Sequence, residues 1–338
     1  VLDQSPVSEG SDGAAALRCS VDLAIHAEAL GFERYWVAEH HGHAMIAGAS
    51  PEVLIAAIAA HTSTIRVGSG GVMLPHYSPL KVAENFAALA GLYPQRIDLG
   101  VGRAPGSDGH TMLALQRDRR QLAPDDFPQQ LAELLAYLEN DFPPQHPLAR
   151  LAALPGGPER PEVWLLGSSP QSGIWAAQLG LPYAFADFFS SAGGEAIAAR
   201  YRADFAASRR RGVPYVAIAV SVICAETDEQ AERLASSRRM TSALRASGRL
   251  IPLPPVEKAL AYLARHPEPV AREQRAIVGS PARVRDGLER VAEAYGADEV
   301  LVVTMTHEHE ARRRSYELIA EAFGMSGEVS DAGRLLAR

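Results

Sequence analysis

The sequence predicts an α/β fold in which consecutive βα units close into a TIM (β/α)8 barrel. Three observations carry this expectation. Eight short apolar segments alternate with longer stretches whose apolar residues recur at helical spacing. Four helical stretches open on the same pair, Ser50-Pro51, Ser78-Pro79, Ser169-Pro170 and Ser280-Pro281. Serine can accept a bond from an orphan helical N–H, and proline at the first helical position has no N–H to leave unpaired. Finally, ALGFERYWV, AGLYPQRIDLG, QLGLPYAFAD and AYGADEVLVV each run from a helix through glycine into a strand, as expected where glycine takes the left-handed conformation after a helix.

Taken in order, a strand at residues 1 to 3 leads into a helix over 14 to 30, with Leu17, Val21, Ala24 and Ala27 on one face. Strands come next near 34 to 39, 65 to 71 and 97 to 102, the first two handing over to the helices at Pro51 and Pro79. The fifth strand, 163 to 167, meets the helix at Pro170, and the sixth, seventh and eighth are placed at 183 to 187, 215 to 223 and 299 to 304. One stretch breaks the rhythm: residues 240 to 275, rich in Arg and Pro, lie between the seventh strand and the helix at Pro281. An insertion there sits at the barrel mouth, either as a mobile lid or as a surface excursion. Residues 1 to 338 are expected to form a single domain, since barrels of this length occur.

Composition narrows the function classes. A hydrophobic content of 47% with 22% charged residues suits a globular enzyme with a large core. The net charge of −7 offers no basic field for nucleic acid or an anionic membrane, so an anionic ligand needs local neutralisation. Cys19 and Cys224 have neither knuckle spacing nor a disulfide framework, which fits a reducing cytoplasm. There is no apolar run of about 18 residues and no export signal at the start. The opening VLDQSPV lacks Met and is already strand-like, which suggests that a few residues precede it.

In such a barrel the chemistry gathers at the carboxyl ends of the strands. The second strand ends in Glu39-His40-His41, the third in the glycines of VGSGGVMLPHYSP, the fourth in LGVGRAPG and the fifth in LLGSSPQS. Singly, a glycine turn serves a strand exit, Ser168 and Ser169 cap a helix, and Arg103 is a solvated or paired side chain. Together, an arginine beside two hydroxyls and a helix N-terminus form an anion site suited to a phosphate. His40 and His41, being adjacent, point to opposite faces of a strand and do not readily share one ion, with only His307 and His309 as further candidates, so no metal site is expected. His40 suits proton transfer near neutral pH if it points into the pocket, whereas His41 and His43 read as turn histidines. Glu39 either orients an imidazole, carries charge in the pocket, or is satisfied by neighbouring strand groups. Met45, Ile46, Met73, Leu74, Phe188 and Phe189 are candidates for an apolar lining or for ordinary packing. No GxGxxG with an acidic ribose partner signals an integral nicotinamide site.

EHH, GSGGVMLP, IDLGVGRAPG and LLGSS, in this order, together with RSYELIAEAFG near the end, resemble the bacterial luciferase-like flavin monooxygenases, and most closely a subgroup of uncharacterised luciferase-like oxidoreductases. The resemblance spans nearly the whole chain. It implies a TIM barrel that binds FMN at its carboxyl face, with Ser168 and Ser169 beside Gly167 on the phosphate and Arg103 near the phosphate or the ring edge. It further implies His40 as the catalytic histidine, joined by Glu39, and a non-prolyl cis peptide at Gly70-Gly71 beneath the flavin. Gly102 stands where the light-emitting subunit has a reactive cysteine, so luminescence is not implied. The activity the resemblance implies is that of a monooxygenase using reduced FMN and dioxygen on a small organic substrate in a dry pocket. It also implies a separate flavin reductase as supplier and a homodimer. A deazaflavin-dependent hydride-transfer reductase and a non-catalytic flavin-binding protein are the alternatives.

Overall fold

A computed structural model describes residues 1–103, 109–116, 126–151, 154–189, 193–266 and 276–325. Its first half runs β1 (Leu2–Asp3), α1 (Gly13–Ala29), β2 (Arg34–Val37), α2 (Pro51–His61), β3 (Arg66–Met73), α3 (Pro79–Leu92), β4 (Ile97–Gly102), α4 (Gly109–Leu115) and α5 (Phe127–Glu139). The second half runs β5 (Glu162–Gly167), α6 (Pro170–Leu179), β6 (Tyr183–Ala186), α7 (Gly194–Ala203), β7 (Val216–Cys224), α8 (Asp228–Ala246), α9 (Val256–Arg265), β8 (Ile277–Gly279), α10 (Pro281–Tyr295), β9 (Glu299–Val303) and α11 (His309–Phe323).

Strands β1 to β7 pair in sequence order, all parallel, and β9 pairs with β7. Because β9 also runs beside β1, these eight strands form a nearly closed barrel, as expected from the alternation of elements. Alternate strand residues divide the apolar side chains between two cores. Inside the barrel lie Leu2, Trp36, Trp164, Ala184, Ala217, Ala219 and Leu301. Between strands and helices lie Tyr35, Val37, Val67, Leu99, Tyr183, Ile218 and Val302.

All four Ser-Pro pairs open helices, but only Ser169 accepts a capping bond through its side chain; Ser50, Ser78 and Ser280 do not. Proline at the first helical position, rather than the serine hydroxyl, is thus the shared determinant. Gly180 and Gly296 close α6 and α10 at φ of 60° and 54°, as expected. Gly91 departs from the expectation. It lies inside α3, where a Cβ would stand 2.5 Å from Gly156 Cα, so close approach is its reason, and Gln95 takes the positive φ instead.

The ninth strand, β8, is not among the strands expected from the sequence. Among the described residues its three residues pair with the carboxyl end of β7, Val222 opposite Ile277 and Cys224 opposite Gly279. The first part of the 240 to 275 stretch also differs: Met240 to Ala246 complete α8. Beyond them, Leu253 is fully buried against the barrel interior, and Glu9 N and Leu253 N donate to Leu253 O and Val7 O at 2.8 and 2.9 Å. Residues 267 to 275 lie outside the described residues. Among the described residues no helix is long and apolar enough to cross a membrane.

The amino-terminal end of the barrel is closed by charge. Arg34, at the start of β2, pairs with Asp98 and, at 3.0 Å, with Glu299; Arg66 pairs with Asp98; Trp36 Nε1 donates to Asp98 at 2.9 Å. Burial alone would lower the Arg34 pKa, but Asp98 and Glu299 outweigh it and raise it.

Candidate active site

The opposite, carboxyl end opens onto a cavity of about 420 Å³. Every site residue singled out from the sequence lines it: Glu39 and His40 after β2, Gly70 and Gly71 in β3, Arg103 after β4, and Gly167, Ser168 and Ser169 where β5 passes into α6. Residues 104 to 106 of the fourth-strand motif lie outside the described residues.

At the β5–α6 turn a Cβ on Gly167 would lie 2.3 Å from Ser172 Oγ, so only a bare backbone lets the first helical turn fold against the strand end. Ser172 Oγ donates to the Ser169 carbonyl at 2.7 Å, and Ser169 Oγ accepts from Ser172 N at 3.5 Å. The exposed Arg103 guanidinium stands 5.8 Å from the ring of Trp175, one turn further along α6. Two hydroxyls, a helix N-terminus and a guanidinium therefore share one end of the cavity, which is the donor set a phosphate requires.

The Gly70-Gly71 peptide is cis, as the resemblance implies. A Cβ on Gly70 would meet Leu2 Cδ1 at 2.6 Å, and one on Gly71 the Gly100 carbonyl oxygen at 2.7 Å. The register against β4 slips between Gly70 and Val72, a bulge that aims bare backbone at the cavity. The apolar side chains of Trp36, Leu166, Ala184, Ala219 and Leu301, from the barrel interior, line the same space. The geometry fits a flat aromatic ring system carrying a phosphate tail.

The two adjacent histidines have different partners. His40 lines the cavity, half-buried, with Nε2 3.0 Å from Gln4 Oε1 and its backbone N–H on the Gly48 carbonyl at 2.8 Å. His41 Nε2 lies 2.7 Å from Glu39 Oε1. Glu39 is buried and also accepts from Met73 N at 3.0 Å and Tyr77 OH at 2.8 Å. The imidazole that Glu39 orients is therefore His41, and neighbouring strand groups satisfy its carboxylate. Burial, and then Glu39, raise the Tyr77 pKa, which keeps the phenol a donor. The His43 ring lies 6.3 Å from that of His40, and burial followed by Arg245 lowers its pKa. His307 and His309 turn to the Glu9 carbonyl and to Asp22. Among the described residues no group of three His, Cys, Asp or Glu side chains is placed to hold a metal.

Of the expected apolar lining, Met73, Phe188 and Phe189 face the cavity. Met45 packs on the barrel interior, Leu74 is buried outside the barrel, and Ile46 bridges to Pro6. Sequence reading missed Gln4, Phe127 and Trp175. Gln4 directly follows β1, so its position at a strand's carboxyl end was an available signal. Trp175 lies three residues beyond Ser172, on the same helical face.

A model of the luciferase-like monooxygenase family matches residues 1–299. The chain belongs to this family. It is similar to the uncharacterized protein YwcH of Bacillus subtilis (strain 168), 46% identical with 96% of this chain and 98% of the relative covered. It is 38% identical to the N-acetyl-S-alkylcysteine monooxygenase of the same organism, with 95% and 97% covered. Among solved structures, apo-MsnO8 superposes with a TM-score of 0.88 at 43% identity, over 97% of this chain and 98% of that one. The barrel is shared more widely, with the FMN complex of the oxygenating constituent of 3,6-diketocamphane monooxygenase of Pseudomonas putida (TM-score 0.68, 20% identity, 95% and 96% covered) and with an F420-dependent secondary alcohol dehydrogenase (TM-score 0.66, 16%, 92% and 95%). As a member of the luciferase-like family, the chain is an oxidoreductase of the monooxygenase type.

Proposed function

We propose that this protein is an FMN-dependent monooxygenase acting on a small organic substrate. One observation supports this above the others: residues from β2, β3, β4 and the β5–α6 turn, far apart in sequence, surround a single cavity with a phosphate-suited end and a bare-backbone wall. Ser168, Ser169, the N-terminus of α6 and Arg103 would hold the FMN phosphate, and Gly70 and Gly71 would lie against the ring. Bound there in its reduced form, FMN would supply the electrons for dioxygen activation.

The chain's own residues then have three tasks. The apolar interior of Trp36, Leu166, Ala184, Ala219 and Leu301, with Phe188 and Phe189 at the rim, excludes water around the reacting groups. His40 holds or moves a proton at the cavity wall. Glu39 fixes His41, Tyr77 and the end of β3 through the bonds described above. Apart from Arg103 at the phosphate end and the satisfied Glu39, the described lining carries no Asp, Glu, Lys or Arg, so the substrate is held mainly by shape and apolar contact. A separate flavin reductase, a cytoplasmic setting and a homodimer belong to the same proposal.

Titration with FMN and with a deazaflavin, followed by oxygen uptake on prereduced FMN, tests the reading. Tighter binding of FMN and substrate-dependent oxygen consumption are expected. Preference for the deazaflavin, with hydride transfer and no oxygen uptake, would replace it with a reductase; FMN binding without consumption would leave a non-catalytic flavin-binding protein.

A further inference from the structure

Gln4 directly follows the shortest strand of the barrel, and its surroundings hold that strand end unusually firmly. On one side of it, Asp3 is fully buried and pairs with Arg312 of α11, accepts from Tyr35 OH at 2.6 Å and from Ser5 N at 2.7 Å. On the other, Ser5 turns the chain at φ 46° and its hydroxyl meets Ser20 Oγ of α1 at 2.9 Å. With Asp3 held outward, strand alternation sends Leu2 and Gln4 to the opposite face, where both line the cavity. The Gln4 side chain is thus buried, its backbone held by its neighbours, and it is aimed at His40 Nε2.

We infer that Gln4 is the positioning residue for His40, its amide fixing the ring orientation and the tautomer of the histidine assigned above to proton transfer. This rests on the proposed function. With Gln4 Oε1 as acceptor, neutral His40 carries its proton on Nε2, and Nδ1 is the basic atom. The neutral amide has a second consequence. A carboxylate here would favour the imidazolium and hinder proton release, whereas an amide orients the ring without that bias. Among the described residues, the titratable groups around this turn include Glu39 and His41 beside it, His76 with its ring 5.9 Å from that of His41, Tyr77 bonded to Glu39, His43 with its ring 6.3 Å from that of His40, Arg245 acting on His43, and Arg103 in the same cavity lining. Glu39 is engaged by Met73, Tyr77 and His41, and Gln4 meets His40 Nε2 at 3.0 Å from the β1 end.

The test is 15N NMR of the flavin-free protein, with the His40 signal assigned by its loss in His40→Asn, comparing the wild type with Gln4→Glu and Gln4→Met. The expected result is a His40 midpoint raised by about one unit or more in Gln4→Glu, and a shift in the nitrogen signature from the Nε2–H tautomer towards a mixture in Gln4→Met. In turnover on prereduced FMN, the limb of the pH profile that reports His40 should move with the midpoint in Gln4→Glu. Midpoint and tautomer signature unchanged in both folded variants would overturn the inference. An NMR shift without a moving pH limb would uphold the coupling and remove His40 from the reaction instead.

Discussion

The two ends of the barrel use polar residues in opposite ways. At the amino-terminal end, Arg34, Arg66, Asp98 and Glu299 neutralise one another over the rings of Trp36 and Trp164, with the Arg34 guanidinium 4.7 Å from the latter. At the carboxyl end, the strands finish in glycine, serine, histidine and one arginine around an open cavity. Strands β2, β3 and β4 thus begin in matched charges and finish around the cavity. Matched charge is a reading for stability; donors aimed at a cavity are a reading for ligand and chemistry.

The sharpest way to break this comparison is to alter one residue at each end. His40→Ala should lower substrate-coupled oxygen turnover by about 10²- to 10⁴-fold, the usual contribution of a positioned acid or base, while the thermal unfolding midpoint moves little. Unchanged coupled turnover would remove the histidine from the mechanism. Asp98→Asn should do the reverse. It removes the buried carboxylate that Arg34 and Arg66 share and leaves them only the more distant, partly exposed Glu162 in common, at 3.8 and 3.5 Å, a loss of up to about 3–5 kcal/mol for a broken buried pair, read by denaturant titration. The KM of the folded fraction should stay unchanged.

A smaller effect is expected at the phosphate end. Replacing Ser168 and Ser169 by Ala removes two hydroxyls whose bonds to a charged group are worth about 1.5–3 kcal/mol each. Flavin affinity should fall at least about tenfold, measured by fluorescence titration. Ser169 also caps α6, and losing that cap costs about 1 kcal/mol of stability. A fall in stability with no change in affinity would reassign both serines to the helix alone.

These residues were legible to different degrees, for physical reasons. The barrel was readable because several strands are bounded by strong local signals, proline at helix starts and left-handed glycine at helix ends, and because parallel strands demand helical crossovers. Glu39, His40, Arg103 and the two serines were readable because they terminate recognisable strands. Gln4 also follows a recognisable strand, but its aim at His40 was not readable, because what holds that strand end is the long-range pairing of Asp3 with Arg312, 309 positions away. Likewise β8 is too short to show a period, and it exists by pairing with the overhanging end of β7. Gly91 misled because glycine serves both left-handed turns and close approach, and local sequence does not distinguish them.

Asp3 shows that the contrast between the two ends is not absolute, since it brings amino-end chemistry to the carboxyl end. Burial alone would raise its pKa, but Arg312 and the bonds from Ser20, Tyr35 and Ser5 outweigh this and hold it below the ordinary value of 3.8. A depressed folded value contributes stability that is fully present above the unfolded value and is lost as pH falls through the folded one. Acid unfolding should therefore begin below about pH 4. In Asp3→Asn that share of the pH dependence should disappear, along with stability at neutral pH. An acid limb identical in wild type and variant would place the acid sensitivity elsewhere.

The smallest effect is expected where the insertion meets the N-terminal loop. Lys258 of α9 reaches Glu9 at 2.7 Å, but both side chains are exposed, and such pairs contribute about 0–1 kcal/mol. The docking rests instead on the buried Leu253 and the two backbone bonds beside it. Lys258→Ala should therefore leave stability and proteolytic cleavage in 240 to 275 nearly unchanged, with or without FMN. A large increase in cleavage would show that the exposed pair, and not the apolar plug, holds this segment against the barrel.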